Sequence, residues 1–392
     1  MEIKTLICLI IMSITAFFVF YAMVGYPLVL IIIGKTKKHK DIRKNIAYEP
    51  LVSYIIVAHN ESKCIKQKLD NILSFEYPLN KLQIIVASDF CTDNTNDIVN
   101  EFIGLHPELN IILNKSKSHK GKTNAQNEAV ALAVGEVLVF TDANSMFNSA
   151  SIRELVCCFA SDDVAYVCGR LVYSNDFNLT ASSESFYWSL ELKQREIESA
   201  FHTITAGNGS IYAVKKSYYL EINPILCHDE AFPRIFALQK KESLYNPNAI
   251  AYEKAGENNK DEFKRKVRMN RTILNIFVTM WRPLNCFRYR WFSFFYFGHR
   301  TCRYLLWLNH LLFFISSLLF VVFGNYIVGG ILVFLQIVIL IFGVVSIKHS
   351  FRFKGFRIIG YYSMTVLAQL VAAVKQMLGR SKPVWDKAES TR

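Results

Sequence analysis

The stretch EVLVFTDANSM, residues 136–146, decides how the chain folds. Val137 to Thr141 is an apolar run of strand length, read as a strand buried on both faces. Asp142-Ala143-Asn144 follows at once. A carboxylate at the C-terminal end of a buried parallel strand stands where open α/β sheets bind ligands. Its hard oxygens suit Mg2+ or Mn2+ bridging two phosphates. Asp also opens turns after strands. The stretch alone therefore leaves two readings open, a metal ligand and a turn residue.

Working outward, strand and helix signals alternate. Residues 52–58 form a buried strand ended by His59-Asn60-Glu61-Ser62, and 63–75 has helical apolar spacing. Residues 83–87 are a second strand, ending at Ser88-Asp89, and Thr92-Asp93-Asn94-Thr95 opens another helix. A third strand covers 110–113. The basic glycine-containing loop SHKGK (118–122) leads into a helix over 123–134 and then into the opening strand. Beyond it, a helix over 149–160, a strand over 164–168 and a long helix over 182–200 are expected. A glycine-rich turn into a strand follows at 205–214, then a helix from His228-Asp229-Glu230, and a last strand over 245–252. Short links between alternating elements predict an α/β domain with a mainly parallel, Rossmann-like sheet. No GxGxxG follows the first strand, which argues against a dinucleotide-binding domain. Helical spacing assigns Tyr187 and Trp188 to the core, and His59 and His228 read as structural histidines.

The apolar residues, 52% of 392, concentrate at both ends. Residues 3–33 are long enough to span a bilayer, too long for a signal peptide, and lack a small-residue cleavage site. Runs at 304–323 and 326–347 predict two more spans, and 358–378 a third that crosses or lies in the interface. Counting spans puts the C-terminus on the far side; the basic tail with Trp385 argues the opposite. The net charge of +13 gathers at 35–44, 264–271, 348–357 and 380–392, beside the apolar runs. That pattern suits anionic lipid better than nucleic acid, and it puts the middle of the chain in the cytoplasm. Aromatic stretches at 273–281 and 291–297 read as amphipathic interface helices. The nine cysteines form no CxxC pair and read as reduced thiols. The expected organisation is a membrane helix (1–34), a basic linker (35–50) and a catalytic domain (51–260). Interface helices (261–300), membrane helices (301–378) and a basic tail (379–392) follow.

Asp89, Asp142 and Asp229 each fall at a strand end or a helix start, and a parallel sheet gathers such ends on one edge. They suit a nucleotide diphosphate held through a metal while an incoming hydroxyl is activated. Asp89 would meet the base or ribose, Asp142 the metal, and Asp229 would act as general base. Lys120 and Lys122 suit diphosphate charge.

The ordered motifs AHNE (58–61), SDFCTDNT (88–95), KGKTNAQNEA (120–129), FTDAN (140–144), GNGSIYAVKK (207–216) and HDEAF (228–232) resemble membrane-bound family 2 glycosyltransferases. This is the superfamily of hyaluronan, chitin, cellulose and poly-N-acetylglucosamine synthases. KVRMNR (266–271), FGHRTCRYL (297–305) and the tail 385–392 extend the match. The resemblance implies a GT-A fold, a nucleotide-sugar donor, an inverting displacement and Mg2+ or Mn2+. Ala58, Asn60, Glu61 and Asp89 would contact the nucleoside; Lys120, Lys122, Asp142 and Arg268 the diphosphate. Asp142 and Asn144 align with the metal motif, and Gly207, Asn208 and Gly209 would line the acceptor site. Asp229 is the expected base, or Glu230 if the register slips by one. Two departures matter. The metal motif has one carboxylate, since Asn144 replaces an acid. The segment 265–269 lacks the tryptophan of QxxRW, which argues against long-chain processive synthesis.

The expectation is a multi-pass inner (plasma) membrane enzyme with its catalytic domain in the cytoplasm. It would move a sugar, from a UDP-sugar by preference, to a glycan or lipid-linked acceptor in exopolysaccharide, capsule or cell-envelope synthesis. Its partners would be membrane lipids and polysaccharide assembly proteins. The alternatives are transfer to a polyprenyl phosphate carrier, or a catalytically inactive scaffold of an assembly complex.

Overall fold

The computed structural model describes residues 2–36, 42–173, 179–254, 259–349, 351 and 353–384. The expected tail from Trp385 onward, the Tyr187 side chain and the basic residues at 37–41 lie outside the described residues.

Eight strands form one sheet: β1 (Val52–Ala58), β2 (Leu82–Ser88), β3 (Asn110–Lys115), β4 (Val137–Asp142), β5 (Met146–Phe147), β6 (Val164–Tyr173), β7 (Ile211–Lys215) and β8 (Glu242–Glu253). Their order is β3-β2-β1-β4-β7-β6-β8-β5. β1 and β2 bury every residue, as continuous apolar runs do in a sheet covered on both faces. Ile65, Leu69, Ile72, Val99 and Phe102 cover one face. Ala125, Ala129, Phe232 and Phe236 cover the other.

The first four strands are parallel, as expected. The sheet as a whole is mixed, because β7 runs antiparallel to both β4 and β6. Ile211 starts β7 beside Thr141, near the end of β4. A strand that begins where its neighbour ends must run back along it, and that return is not written in the apolar spacing. β6 and β8 also run longer than their apolar cores suggest and pair in parallel. Glu253 is thereby carried to the end of β8.

Strand order reverses at β1, which has β2 on one side and β4 on the other. That switch point is where an open sheet forms its ligand crevice. His59, Asp89 and Asp142 all lie at this edge, as continuations of β1, β2 and β4.

Among the described residues, three helices are long and apolar enough to cross a membrane: Ile3–Lys35, Tyr326–Lys348 and Lys354–Met377. A fourth span results if Trp291–Tyr304 and Leu306–Val322, bent by 56°, count as one. The N-terminal helix packs Cys8 and Met12 against Phe320. Between the catalytic domain and the spans, Val278, Trp281 and Phe287 turn outward, Phe287 with 95% exposure. Outward aromatic side chains beside spanning helices mark a membrane interface.

The last helix makes polar contacts with the segments that follow the catalytic domain. Tyr361 donates to Glu262 (3.3 Å), Gln369 to the Arg303 carbonyl (3.0 Å) and Gln376 to Asn275 (3.0 Å). After it, Ser381 donates to the Arg271 carbonyl at 2.8 Å. The Pro383 carbonyl lies so close to Gly121 that a Cβ there would meet it at 2.6 Å. The end of the described chain is therefore on the same side as the catalytic domain.

Candidate functional site

The crevice has a nucleoside side and a reaction side. On the first, Asp89 is fully buried. Its carboxylate accepts from the Lys120 and Gly121 amides (3.2 and 3.0 Å) and is paired with His119 Nδ1 at 2.8 Å. Gly121 takes φ +95, a left-handed region that suits glycine, and so delivers both amides to one acid. Asp89 thus organises the SHKGK loop. His119 stacks on His59 with centroids 4.0 Å apart and planes within 7°. His59, Asp89 and His119 bring their ligand atoms within 4.8 Å of one another. Asn60, at φ 55, accepts from the amides of Thr92 (2.7 Å) and Asp93 (3.3 Å). The buried Glu61 receives the Cys64 thiol at 3.1 Å. Asn60 and Glu61 tie the first two loops of the crevice together. Ala58 is buried, and its carbonyl accepts from the Asp89 amide at 2.8 Å.

On the reaction side, Lys122 joins the expected residues. It opens the helix Lys122–Leu132. Its ammonium pairs with the Asp142 carboxylate and donates to the Gly209 carbonyl at 3.0 Å. Burial works against that charge, but Asp142 and then Asp229 outweigh it, and Lys122 stays above the ordinary lysine value. Asp229 sits at the start of the helix His228–Leu238, where the helix dipole favours a carboxylate. Burial pushes its carboxyl above the ordinary value; Lys122 pulls it down, and Glu230 pushes it further up.

The Gly207-Asn208-Gly209 loop lies against this pair. A Cβ on Gly209 would come within 3.4 Å of Lys122 Nζ and 3.5 Å of Asp229 Cγ. A Cβ on Gly207 would meet the Tyr166 hydroxyl at 1.8 Å, so only glycine fits. The Gly207 amide donates to the Asp229 carbonyl at 2.7 Å. The buried Asn208 Nδ2 has no partner among the described residues.

Three expected residues look elsewhere. Glu230 points toward the membrane segment, accepting from Tyr304 (2.8 Å) and pairing with Arg300 (3.3 Å). Asn144 donates its amide to Glu253 at 2.8 Å. Lys120 contributes its backbone, and its side chain is exposed. Arg268 is half-buried within the electrostatic reach of Asp142; burial, then Arg265, lower its guanidinium below the ordinary value.

Residues 53–222 match the family described as Glycosyl transferase family 2. This is a family 2 glycosyltransferase domain. The glycosyltransferase domain is similar to the Bacillus subtilis protein described as "Probable glycosyltransferase YdaM", 35% identical over 31% of this chain and 30% of that one. It is also similar to a beta-monoglucosyldiacylglycerol synthase of Nostoc sp., 24% identical over 41% of this chain and 33% of that one. The chain thus spans about a third of the length of these curated relatives. The solved structure of the Pyrobaculum calidifontis mannosyltransferase PcManGT, in complex with GDP-Man and Mn2+, aligns with a TM-score of 0.67. The alignment covers 94% of this chain and 99% of that one at 20% identity. The likeness is one of fold, and the fold is GT-A.

Two residues of the candidate site escape the sequence reading. Glu253 receives Asn144, Ser145 (3.3 Å) and Ser210 (3.0 Å), and burial, then Asp142, raise its carboxyl. It comes from the far end of the domain, and the pairing of β8 with β6 and with β5 brings it in. Lys68 is fully buried beneath β4. Burial pulls it down to about 7, against Asp142, Cys64 and Glu253. A lysine at helical spacing from Ile65, Leu69 and Ile72 is the signal that could have marked it. His228 is buried and structural, as expected: it faces the Tyr212 hydroxyl at 3.0 Å, and burial holds it down at about 3. Trp188 donates to the Leu171 carbonyl at 3.1 Å and packs on the core.

Proposed function

We propose that the chain transfers a sugar from a nucleotide diphosphate sugar to a glycan or lipid-linked acceptor at the cytoplasmic face of the membrane, with inversion. The observation that carries this reading is the Asp142–Lys122–Asp229 arrangement beside the Gly207 loop. It places an anion-binding ammonium between a carboxylate suited to a metal and one held in a more basic state.

Asp142 has hard oxygen donors, a side chain 29% exposed toward the crevice, and Glu253 close behind it. These residues fit a divalent cation, and Asp142 would hold it; Asn144 supports the turn through Glu253. A bound Mg2+ or Mn2+ would neutralise charge on the departing diphosphate. Lys122 and Arg268 add positive charge to that side of the crevice. The Gly207-Asn208-Gly209 loop, with the free amide donor of Asn208, receives the acceptor. Asp229 takes the proton of the acceptor hydroxyl as its oxygen attacks the anomeric carbon and the bond to the diphosphate breaks. The raised carboxyl makes Asp229 a stronger base than an exposed aspartate. Glu230, engaged with Tyr304 and Arg300, links this helix to the membrane segment.

PcManGT is solved with GDP-Man and Mn2+, which supports a nucleotide sugar with a divalent metal; the donor proposed here is a UDP-sugar. The test is incubation of membranes holding the chain with a panel of nucleotide sugars, with and without Mn2+, following released nucleotide diphosphate. Metal-dependent release that Asp142→Ala abolishes is the expected result. Undiminished release by Asp142→Ala would overturn the assignment.

A further inference from the structure

Lys68 occupies a place that the pattern of its helix reserves for an apolar side chain. In the helix Ile65–Ile72, the buried residues are Ile65, Lys68, Leu69 and Ile72. This is the i, i+3, i+4, i+7 spacing of a face turned to the core, and Lys68 is 0% exposed on it. A buried ammonium is unfavourable unless its donors are met, so a lysine here calls for a compensating role.

Its donors are met around one turn. Nζ donates to Thr141 Oγ1 at 2.9 Å and to the Ser145 carbonyl oxygen. It also lies over the rings of Phe147 and Tyr54, 4.6 and 5.4 Å from their centroids, a favourable setting for a desolvated cation. Among the described residues it makes no ion pair. Thr141 and Ser145 flank Asp142-Ala143-Asn144 on either side. The turn is closed from within by the Ser145 amide on the Asp142 carbonyl, at 3.2 Å. Its remaining side chains, Asn144 and Ser145, are held by Glu253. Lys68 thus grips the turn from below and Glu253 from the side. The Asp142 carboxylate is the group of the turn that faces the crevice.

We propose that Lys68 is a positioning residue for the metal and diphosphate site, its buried ammonium clamping both ends of the Asp142 turn so that the carboxylate is presented at the angle a divalent cation needs. The proposal rests on the reading of Asp142 given above. A methionine fills the same volume but bridges neither Thr141 nor Ser145. Outer residues that orient a metal-binding group commonly change metal affinity by roughly 10–100-fold when replaced.

The experiment uses the full chain in detergent or nanodiscs, titrated with Mn2+ in the presence of UDP and, in parallel, of GDP. Calorimetry reads binding, and circular dichroism reads the fold. Lys68→Met should stay folded and should need at least about tenfold more Mn2+ to reach the same nucleotide binding. Lys68→Arg, which keeps the charge, should recover part of the loss. Thr141→Val removes one acceptor of the clamp without touching the lysine. It should shift the Mn2+ requirement in the same direction by a smaller factor, and it decides the matter if Lys68→Met does not fold. Asp142→Asn is the control. If Asp142→Asn loses binding while folded Lys68→Met, or failing that Thr141→Val, keeps the wild-type Mn2+ requirement, the proposal is overturned. If Asp142→Asn itself binds as wild type does, the reading of Asp142 falls, and the clamp falls with it.

Discussion

Lys122 stabilises the carboxylate of Asp229 and thereby limits how basic it becomes. Replacing Lys122 by Met removes that attraction, so the Asp229 carboxyl moves further up. A general base must be unprotonated, and kcat/KM falls as pH drops through its value in the free enzyme. The acid limb of the kcat/KM profile should therefore move to higher pH in Lys122→Met, on top of a lower plateau from the lost positive charge in the crevice. A limb that stays in place or moves to lower pH would separate Lys122 from Asp229. At this scale the sequence showed much: Asp89, Asp142 and Asp229 were legible because each follows a strand or starts a helix, and Lys122 because its basic, glycine-containing loop suits diphosphate charge. Glu253 and Lys68 were not. Glu253 depends on which strands pair, and Lys68 looked like one more charge until its burial was known.

The long helix Leu179–Phe201 binds the catalytic domain to the membrane part through a buried polar cluster. His299 lies between Glu191 and Glu198, at 2.9 and 2.6 Å, and Arg303 reaches Glu191 at 2.7 Å. Tyr26, in the N-terminal helix, donates to Glu198 at 2.8 Å. His299 is 1% exposed and Glu198 fully buried. Removing one partner of such a cluster leaves a charge buried without compensation, which costs about 3–5 kcal/mol. His299→Leu should lower stability by roughly that amount, read as a shifted urea midpoint in nanodiscs. A midpoint unchanged from wild type would mean the cluster contributes little. The sequence places Glu191 and Glu198 on the helix expected over 182–200. It could not name His299, about a hundred residues away, because nothing local links the two.

For the whole molecule, the clear point is where the described chain ends. Apolar run lengths set the number of hydrophobic helices but not whether the last one crosses. The contacts of Lys354–Met377 with Glu262, Arg303 and Asn275, and of Pro383 with the Gly121 loop, keep its polar face on the catalytic side. In sealed vesicles, with the exposed Cys286 replaced by Ser, a cysteine at Arg380 should react with an impermeant reagent from the same side as one at Lys117. Labelling from opposite faces would contradict this arrangement. The mixed sheet carries the same lesson. The parallel half was legible from alternating elements, whereas the reversal at β7 depends on where the Gly207 loop lands. The short connection that reverses the sheet also brings that loop to Asp229.

The measurement that bears most directly on the central claim is sugar transfer by Asp229→Asn, set beside its nucleotide binding. The variant keeps the shape of the side chain and loses its basicity. The account predicts Mn2+-dependent nucleotide binding close to wild type, with transfer reduced by roughly 10²–10⁴-fold. Transfer at the wild-type rate, with the protein folded and inserted, would contradict it.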